Sequence, residues 1–391
     1  MTGQSAEKQV RPLGPLGEEL RHRIRTTGPM PFEDFMRLAL YHPTDGYYAT
    51  RVPGHGADYR TSPSISPWFG RLVGRALRHM WEDLGRPDPF WVIEVGAGLG
   101  DLAAGAMEDA GPMAGALRWR FVELFDRVAG WQRRRLGSAA ARAEWTSELG
   151  GAAPVCGCVL ANEVLDAFPV HVLEVAGGGD AREVFVCLDG DRFVETLGPL
   201  STASLDAASR RAAVCLQVGS RFEVCLELDG WFAQASRALE RGYLLVIDYG
   251  DLEPGLWLRQ PRGTVESPGP AGIGPSPLEE PGRKDITARV NFSAVFRAAR
   301  NAGFRPRPLR SQRDWLRSLG GADVAGELDA ARARAARQGW VEDAVALGQE
   351  YDDLLELCGE GELGDLLVLE AIKAGTRAPR STWEPADVPV L

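Results

Sequence analysis

The chain has 391 residues, of which 45% are hydrophobic and 25% charged, with a formal net charge of −10. That usage excludes a disordered, collagenous or coiled-coil chain and suits two to three domains or one large α/β domain with insertions. The acidic balance speaks against a polyanion-binding surface, so no nucleic-acid partner is expected.

No apolar run approaches the ~20 residues of a membrane span, and the charged N-terminus carries no secretory signal. The six cysteines show no C-x-x-C spacing and the five histidines are scattered. The expectation is a cytoplasmic chain with reduced thiols, no membrane partner and no metal site.

Residues 1–16 read as a loose tail. Helices are expected over 17–28 and 31–40, where Phe32, Phe35, Met36 and Ala39 recur at i, i+3, i+4 and i+7. A loop rich in Gly, Pro and Tyr runs from Tyr41 to Arg60, and a long helix follows from Ser66 to Leu84. Together 17–85 form a helical N-terminal extension.

From residue 86 the pattern changes. Strands are expected at Phe90–Val95, Leu117–Val122 and Pro154–Leu160, with helices at Leu99–Ala110 and Asp126–Leu136. A helix over Gly230–Arg241 and a strand over Gly242–Asp248 continue the alternation. Such alternation implies an α/β fold with a parallel, doubly wound sheet, assembled from 86–168 and 229–250. Residues 169–228 instead alternate with period two around Gly177–Gly179 and Asp189-Gly190, which predicts an antiparallel β insertion. The stretch 251–290 is a loop rich in Gly and Pro, of a length that is usually functional. Helices over 292–303, 311–319 and 325–358, with strands at 304–309 and 364–372, complete the core across 291–373. Residues 374–391 read as a second tail.

Four segments carry chemistry. Glu94-Val-Gly96-Ala-Gly98-Leu-Gly100-Asp101 follows a strand and opens a helix, so its backbone can approach a ligand closely. Its G-x-G-x-G spacing differs from the dinucleotide G-x-G-x-x-G, and Glu94 would repel a pyrophosphate. A methyltransferase-type site, another nucleotide site and a structural turn all remain compatible with it. Glu123 ends the next strand, where an acid can bind a ribose diol. Asn162, Glu163 and Asp166 follow the strand after that and belong at the same crevice, although Asn162 could simply cap a helix. Thr61-Ser62-Pro63 precedes Ser66-Pro67, an N-cap with proline at the first helical position.

In combination these segments resemble the MidA family of class I S-adenosylmethionine-dependent methyltransferases. The likeness runs from about residue 17 to 373. It is carried by Gly28–Met36, Tyr41-His-Pro-Thr-Asp-Gly-Tyr-Tyr48, Gly56–Tyr59, Thr61–Pro63, Glu94–Gly98, Ala161-Asn-Glu-Val-Leu-Asp-Ala-Phe-Pro-Val170, Asp248–Gly250 and Pro281–Thr287. The resemblance implies a Rossmann-like core with a helical N-terminal extension and an inserted substrate-side region. It implies S-adenosyl-L-methionine as methyl donor, held by Thr61, Ser62, Pro63, Glu94, Gly96, Gly98, Glu123, Asn162 and Glu163. Eukaryotic members are symmetric protein arginine methyltransferases, so the implied acceptor is a protein arginine, gripped by Glu163 and Asp166 with Asn162 orienting it. A donor-binding assembly factor with little catalysis and a small-molecule methyltransferase are the alternatives. The sequence departs from the family pattern at Ser64, Arg289 and Asn291, and 267–274 lacks the family's histidine.

Overall fold

The computed structural model describes residues 14–51, 60–178, 180–269, 272–273, 276–361 and 363–375. The Gly56–Tyr59 motif, the turn residue Gly179 and most of both expected tails lie outside the described residues. Residues 15 and 16, expected in the N-terminal tail, instead open the first helix, because Leu16 is drawn into an apolar cluster.

In chain order the principal helices are α1 (Pro15–Thr27), α2 (Phe32–Tyr41), α3 (Pro67–Asp83), α4 (Asp101–Glu108), α5 (Asp126–Leu136), α6 (Asp206–Cys215), α7 (Leu228–Ala238), α8 (Phe292–Asn301), α9 (Gln312–Ser318), α10 (Gly321–Arg337) and α11 (Val341–Cys358). The principal strands are β1 (Phe90–Val95), β2 (Leu117–Val122), β3 (Ala143–Thr146), β4 (Val155–Asn162), β5 (His171–Val175), β6 (Ala181–Asp189), β7 (Arg192–Gly198), β8 (Arg221–Val224), β9 (Leu239–Asp248) and β10 (Leu367–Lys373).

The main sheet runs β10-β9-β4-β1-β2-β3. Neighbours along that run are parallel except β10, which lies antiparallel to β9, and the two-residue strands Arg305–Pro306 and Arg310–Ser311 pair antiparallel with β10 at the edge. Side chains alternate across it as a strand requires. Val92, Trp119, Phe121, Cys158, Leu160 and Tyr243 pack under α3, α4 and α9–α11. Ile93, Val159, Ala161, Leu244 and Val246 pack under α7 and α8 on the other face. Both faces are covered, which is why these strands read as continuous apolar runs.

Where α3 crosses α4 the backbones nearly touch: a Cβ on Gly70 would lie 2.7 Å from the Leu102 carbonyl oxygen. The helix expected over 325–358 is two helices, α10 and α11, broken at Gly339 with φ +74°.

The second sheet orders Met30–Pro31, β6, β5 and β8, with β7 also paired to β6. Met30 pairs with Val186, so the N-terminal extension supplies an edge to the inserted sheet. Leu20, Phe35 and Met36 pack on Val172, Val184 and Val186 of that sheet. This carries α2 and its terminal Tyr41 over the carboxyl end of the main sheet, where Tyr41 Oη donates to the Ala167 carbonyl at 3.0 Å.

Candidate functional site

Strand register gathers the site. Val95 pairs with Val122 on one side and Ala161 on the other, and Asn162 pairs with Ile247. Gly96, Glu123, Glu163 and Asp248 therefore come at one end of the sheet, the end where open α/β folds bind ligands. A cavity of about 530 Å³ opens there. From the core it is lined by Glu94, Gly96, Gly98, Glu123, Asn162 and Glu163, and from the segment before α3 by Thr61, Pro63 and Ser64. From α2 and the residues around α7 it is lined by Arg37, Tyr41, Glu227 and Trp231, with Tyr48 and Phe168 beside them.

The glycine loop bends through positive φ, +63° at Gly96 and +53° at Gly98, conformations that cost glycine nothing. A Cβ at Gly96 would also press on Val164 Cγ2 at 3.2 Å. Glu123 Oε1 accepts from the Ala97 amide at 2.9 Å and from Gln132 Nε2 at 2.5 Å. Gln132 is held in turn, because its Oε1 accepts from Trp145 Nε1 at 2.8 Å. Burial pushes the Glu123 carboxyl up to about 7, against those two hydrogen bonds. Glu94 lies beneath the loop with its Oε2 accepting from Trp119 Nε1 at 2.8 Å, and burial pushes it up to about 8.

Glu163 has φ +52°, strained for a side chain with a Cβ. Its amide donates to the Ile247 carbonyl at 2.8 Å. Its Oε1 accepts from the Ser62 amide at 3.0 Å and from Asn162 Nδ2 at 3.1 Å. Burial pushes this carboxyl up to about 7. The amide of Asn162 is thereby oriented, and its Oδ1 is buried without a hydrogen-bond partner among the described residues.

Two expected site residues stand elsewhere. Ser62 does not line the cavity among the described residues. It is fully buried, with Oγ accepting from Gln312 Nε2 at 3.1 Å, and it reaches the site through Glu163, to which its amide donates. Asp166 is likewise absent from the described lining. The single helical turn Leu165–Ala167 buries it beside Asp248 and Asp285, still close enough to Glu163 for the two carboxyl groups to repel. Loss of solvent and those two carboxylates raise it well above the usual aspartate range. Asp248 is the anchor of that turn: its Oδ2 accepts from the amides of Val164, Leu165 and Asp166 at 3.1, 2.8 and 3.3 Å.

The departures from the family pattern have plain local roles. Ser64 closes a capping box with Thr61, Asn291 caps α8 by accepting from the Ala294 amide at 3.2 Å, and Arg289 is exposed. Neither Asn291 nor Arg289 is among the described lining residues.

Sequence reasoning missed Arg37, Tyr41, Tyr48, Phe168, Glu227 and Trp231. Tyr41, Tyr48 and Phe168 lay inside the quoted motifs and could have been found. Arg37, Glu227 and Trp231 carry no local signal, since tertiary packing alone brings α2 and α7 to the cleft. The charged groups of the cavity are mostly acids. Glu94, Asp101, Glu123, Glu148, Glu163 and Glu227 line it, and Arg37 is the one Lys or Arg among the described lining residues.

A parallel sheet with one antiparallel strand, a glycine-loop crevice and an acid at the second strand end define a class I methyltransferase. Residues 72–308 match the family model of S-adenosyl-L-methionine-dependent methyltransferases. The mitochondrial protein arginine methyltransferase NDUFAF7 homolog of Drosophila melanogaster is 30% identical over 323 residues, covering 74% of this chain and 71% of that protein. Human mitochondrial protein arginine methyltransferase NDUFAF7 is 27% identical over 345 residues, covering 80% and 75%. A crystal structure from Burkholderia thailandensis bound to S-adenosyl-homocysteine matches with TM-score 0.81 and 28% identity, covering 94% of this chain and 96% of that one. The chain belongs to the S-adenosyl-L-methionine-dependent methyltransferase family, and S-adenosyl-L-methionine is its methyl donor.

Proposed function

We propose that this methyltransferase acts on an arginine guanidinium of a protein, with the donor on the glycine-loop side of the cavity and the acceptor against Glu163. The observation that carries the reading is Glu163 itself, a strained, doubly anchored carboxyl group in a cavity whose charged lining residues are nearly all acids. The names of the relatives from fly and human support the same acceptor.

The residues present fit the donor. Unpartnered Asn162 Oδ1 suits its ammonium, and Glu123 keeps Oε2 for the ribose hydroxyls after spending Oε1 on the protein. Gly96 and Gly98 let the backbone close on it, Glu94 shapes the loop from below, and Thr61 and Pro63 form a wall. When bound, S-adenosyl-L-methionine supplies an electrophilic methyl group on a sulfonium for in-line displacement.

The acceptor guanidinium has a pKa above ~12, so no side chain here holds it neutral beforehand. Glu163 instead fixes its orientation and draws its positive charge away from the attacking nitrogen. Asp166 is not among the described lining residues, so the direct grip falls to Glu163.

The test supplies tritiated-methyl S-adenosylmethionine and the purified protein to a lysate of source cells lacking the gene. Protein from that lysate is then hydrolysed and its amino acids separated. Label in methylarginine is expected. Label confined to methyl-lysine, or to small molecules, overturns the acceptor.

A further inference from the structure

Arg37, on α2, lines a cavity whose other charged lining residues are all acids among the described residues. Its guanidinium pairs with Glu33 one turn back on the same helix, and its Nη1 lies 2.5 Å from Glu227 Oε1. Glu227 stands immediately before α7, where the helix N-terminus favours a negative charge. Trp231, one turn into α7, lines the same cavity and meets Phe168 edge to face, with ring centroids 6.2 Å apart. Tyr41, one turn beyond Arg37, closes the other side and is held by its bond to Ala167. The Arg37 guanidinium thus rests on two carboxylates, in a cavity whose lining also includes the rings of Tyr41 and Trp231.

We propose that Glu227 is the entry subsite for the acceptor's guanidinium, and that Arg37 is a resident occupant which the acceptor displaces. This rests on the arginine-acceptor reading and deepens it. Three features carry the exchange. The two guanidinium groups are chemically equivalent partners for one carboxylate, so displacement costs no new kind of contact. The Arg37 and Glu227 side chains are 42% and 39% exposed, and ion pairs that open to water are weak. Arg37 also keeps Glu33 as a second carboxylate, so it is not left unpaired once it releases Glu227. Specificity follows: a neutral side chain cannot displace Arg37, whereas a guanidinium with a face to lay on Trp231 can.

The experiment titrates full-length protein, saturated with S-adenosylhomocysteine, with N-acetyl-arginine methylamide in a calorimeter. It compares wild type with Arg37→Met, Glu227→Gln and the double variant. Methionine keeps the apolar stem of Arg37, and glutamine keeps the shape of Glu227. Removal of the competitor should tighten probe binding by roughly tenfold in Arg37→Met, and Glu227→Gln should cancel that gain in the double variant. S-adenosylhomocysteine affinity should stay within several-fold throughout. Unchanged or weaker probe binding in Arg37→Met overturns the proposal, as does a double variant that keeps the gain. Loss of S-adenosylhomocysteine affinity in Arg37→Met also overturns it, by assigning Arg37 to the donor's carboxylate. The lysate assay separates the two readings. Methylarginine formed equally by all four proteins discards the subsite alone, whereas none from wild type discards the arginine acceptor.

Discussion

Glu94 is 2% exposed, yet its side chain is anchored by a neutral group, the indole of Trp119. Its carboxyl titrates near 8 in the fold, against about 4.3 unfolded. The sign follows from proton counts. Between those values the native state keeps a proton that the unfolded chain has lost, so stability falls as pH rises, by up to about 1.4 kcal/mol per pH unit for one such group. Glu123, Glu163 and Asp248, each near 7, steepen the same fall below neutrality. Glu94 alone among these four extends it from 7 to 8. Glu94→Gln, which still accepts from Trp119, should therefore flatten the loss of stability over that last unit. Urea unfolding at pH 7, 7.5 and 8 checks this, and parallel slopes for the two proteins would contradict it. At this scale the sequence was a partial guide. Gly96, Gly98, Glu123, Asn162 and Glu163 were legible because strand ends in a doubly wound sheet share one crevice. Ser62 and Asp166 were not, because which way a short turn faces depends on Gln312 and Asp248, far away in the chain.

The α3–α4 crossing shows how small residues position the glycine loop. A Cβ on Gly70 would stand 2.7 Å from the Leu102 carbonyl oxygen and 3.0 Å from Gly105 Cα, and neither neighbour can swing aside as a side chain would. Gly70→Ala should destabilise by about 1–3 kcal/mol, a typical overpacking cost. Gly115→Ala, with nothing within 4 Å of its new methyl group, should stay within about 0.5 kcal/mol. Urea midpoints for the two variants check the contrast, and equal effects would contradict the backbone-contact account. Elements with strong patterns were legible: β1, β2 and α5 begin and end where apolar runs and turn residues place them. β3 gave no signal, since Ala143–Thr146 is a short edge strand with no buried residue. The break between α10 and α11 was hidden because helix-favouring residues flank Gly339 on both sides.

On the scale of the whole molecule, the site belongs to two sheets. The parallel sheet supplies Gly96, Glu123, Asn162 and Glu163, while the N-terminal extension, docked on the inserted antiparallel sheet, delivers Arg37, Tyr41 and Tyr48. The parallel sheet could be read from alternation. The docking could not, because the pairing of Met30 with Val186 joins segments that have no shared local pattern. In the proposed function this joint cavity separates donor binding from acceptor grip, with Glu163 on the acceptor side. Its most direct test is Glu163→Gln, measured for methylarginine turnover and for S-adenosylhomocysteine affinity in the same preparation. The prediction is a turnover loss of roughly a hundredfold, the scale of a lost charge-orienting contact, with affinity held within several-fold. Turnover and affinity falling together would place Glu163 in the donor site, and unchanged turnover would remove it from the reaction.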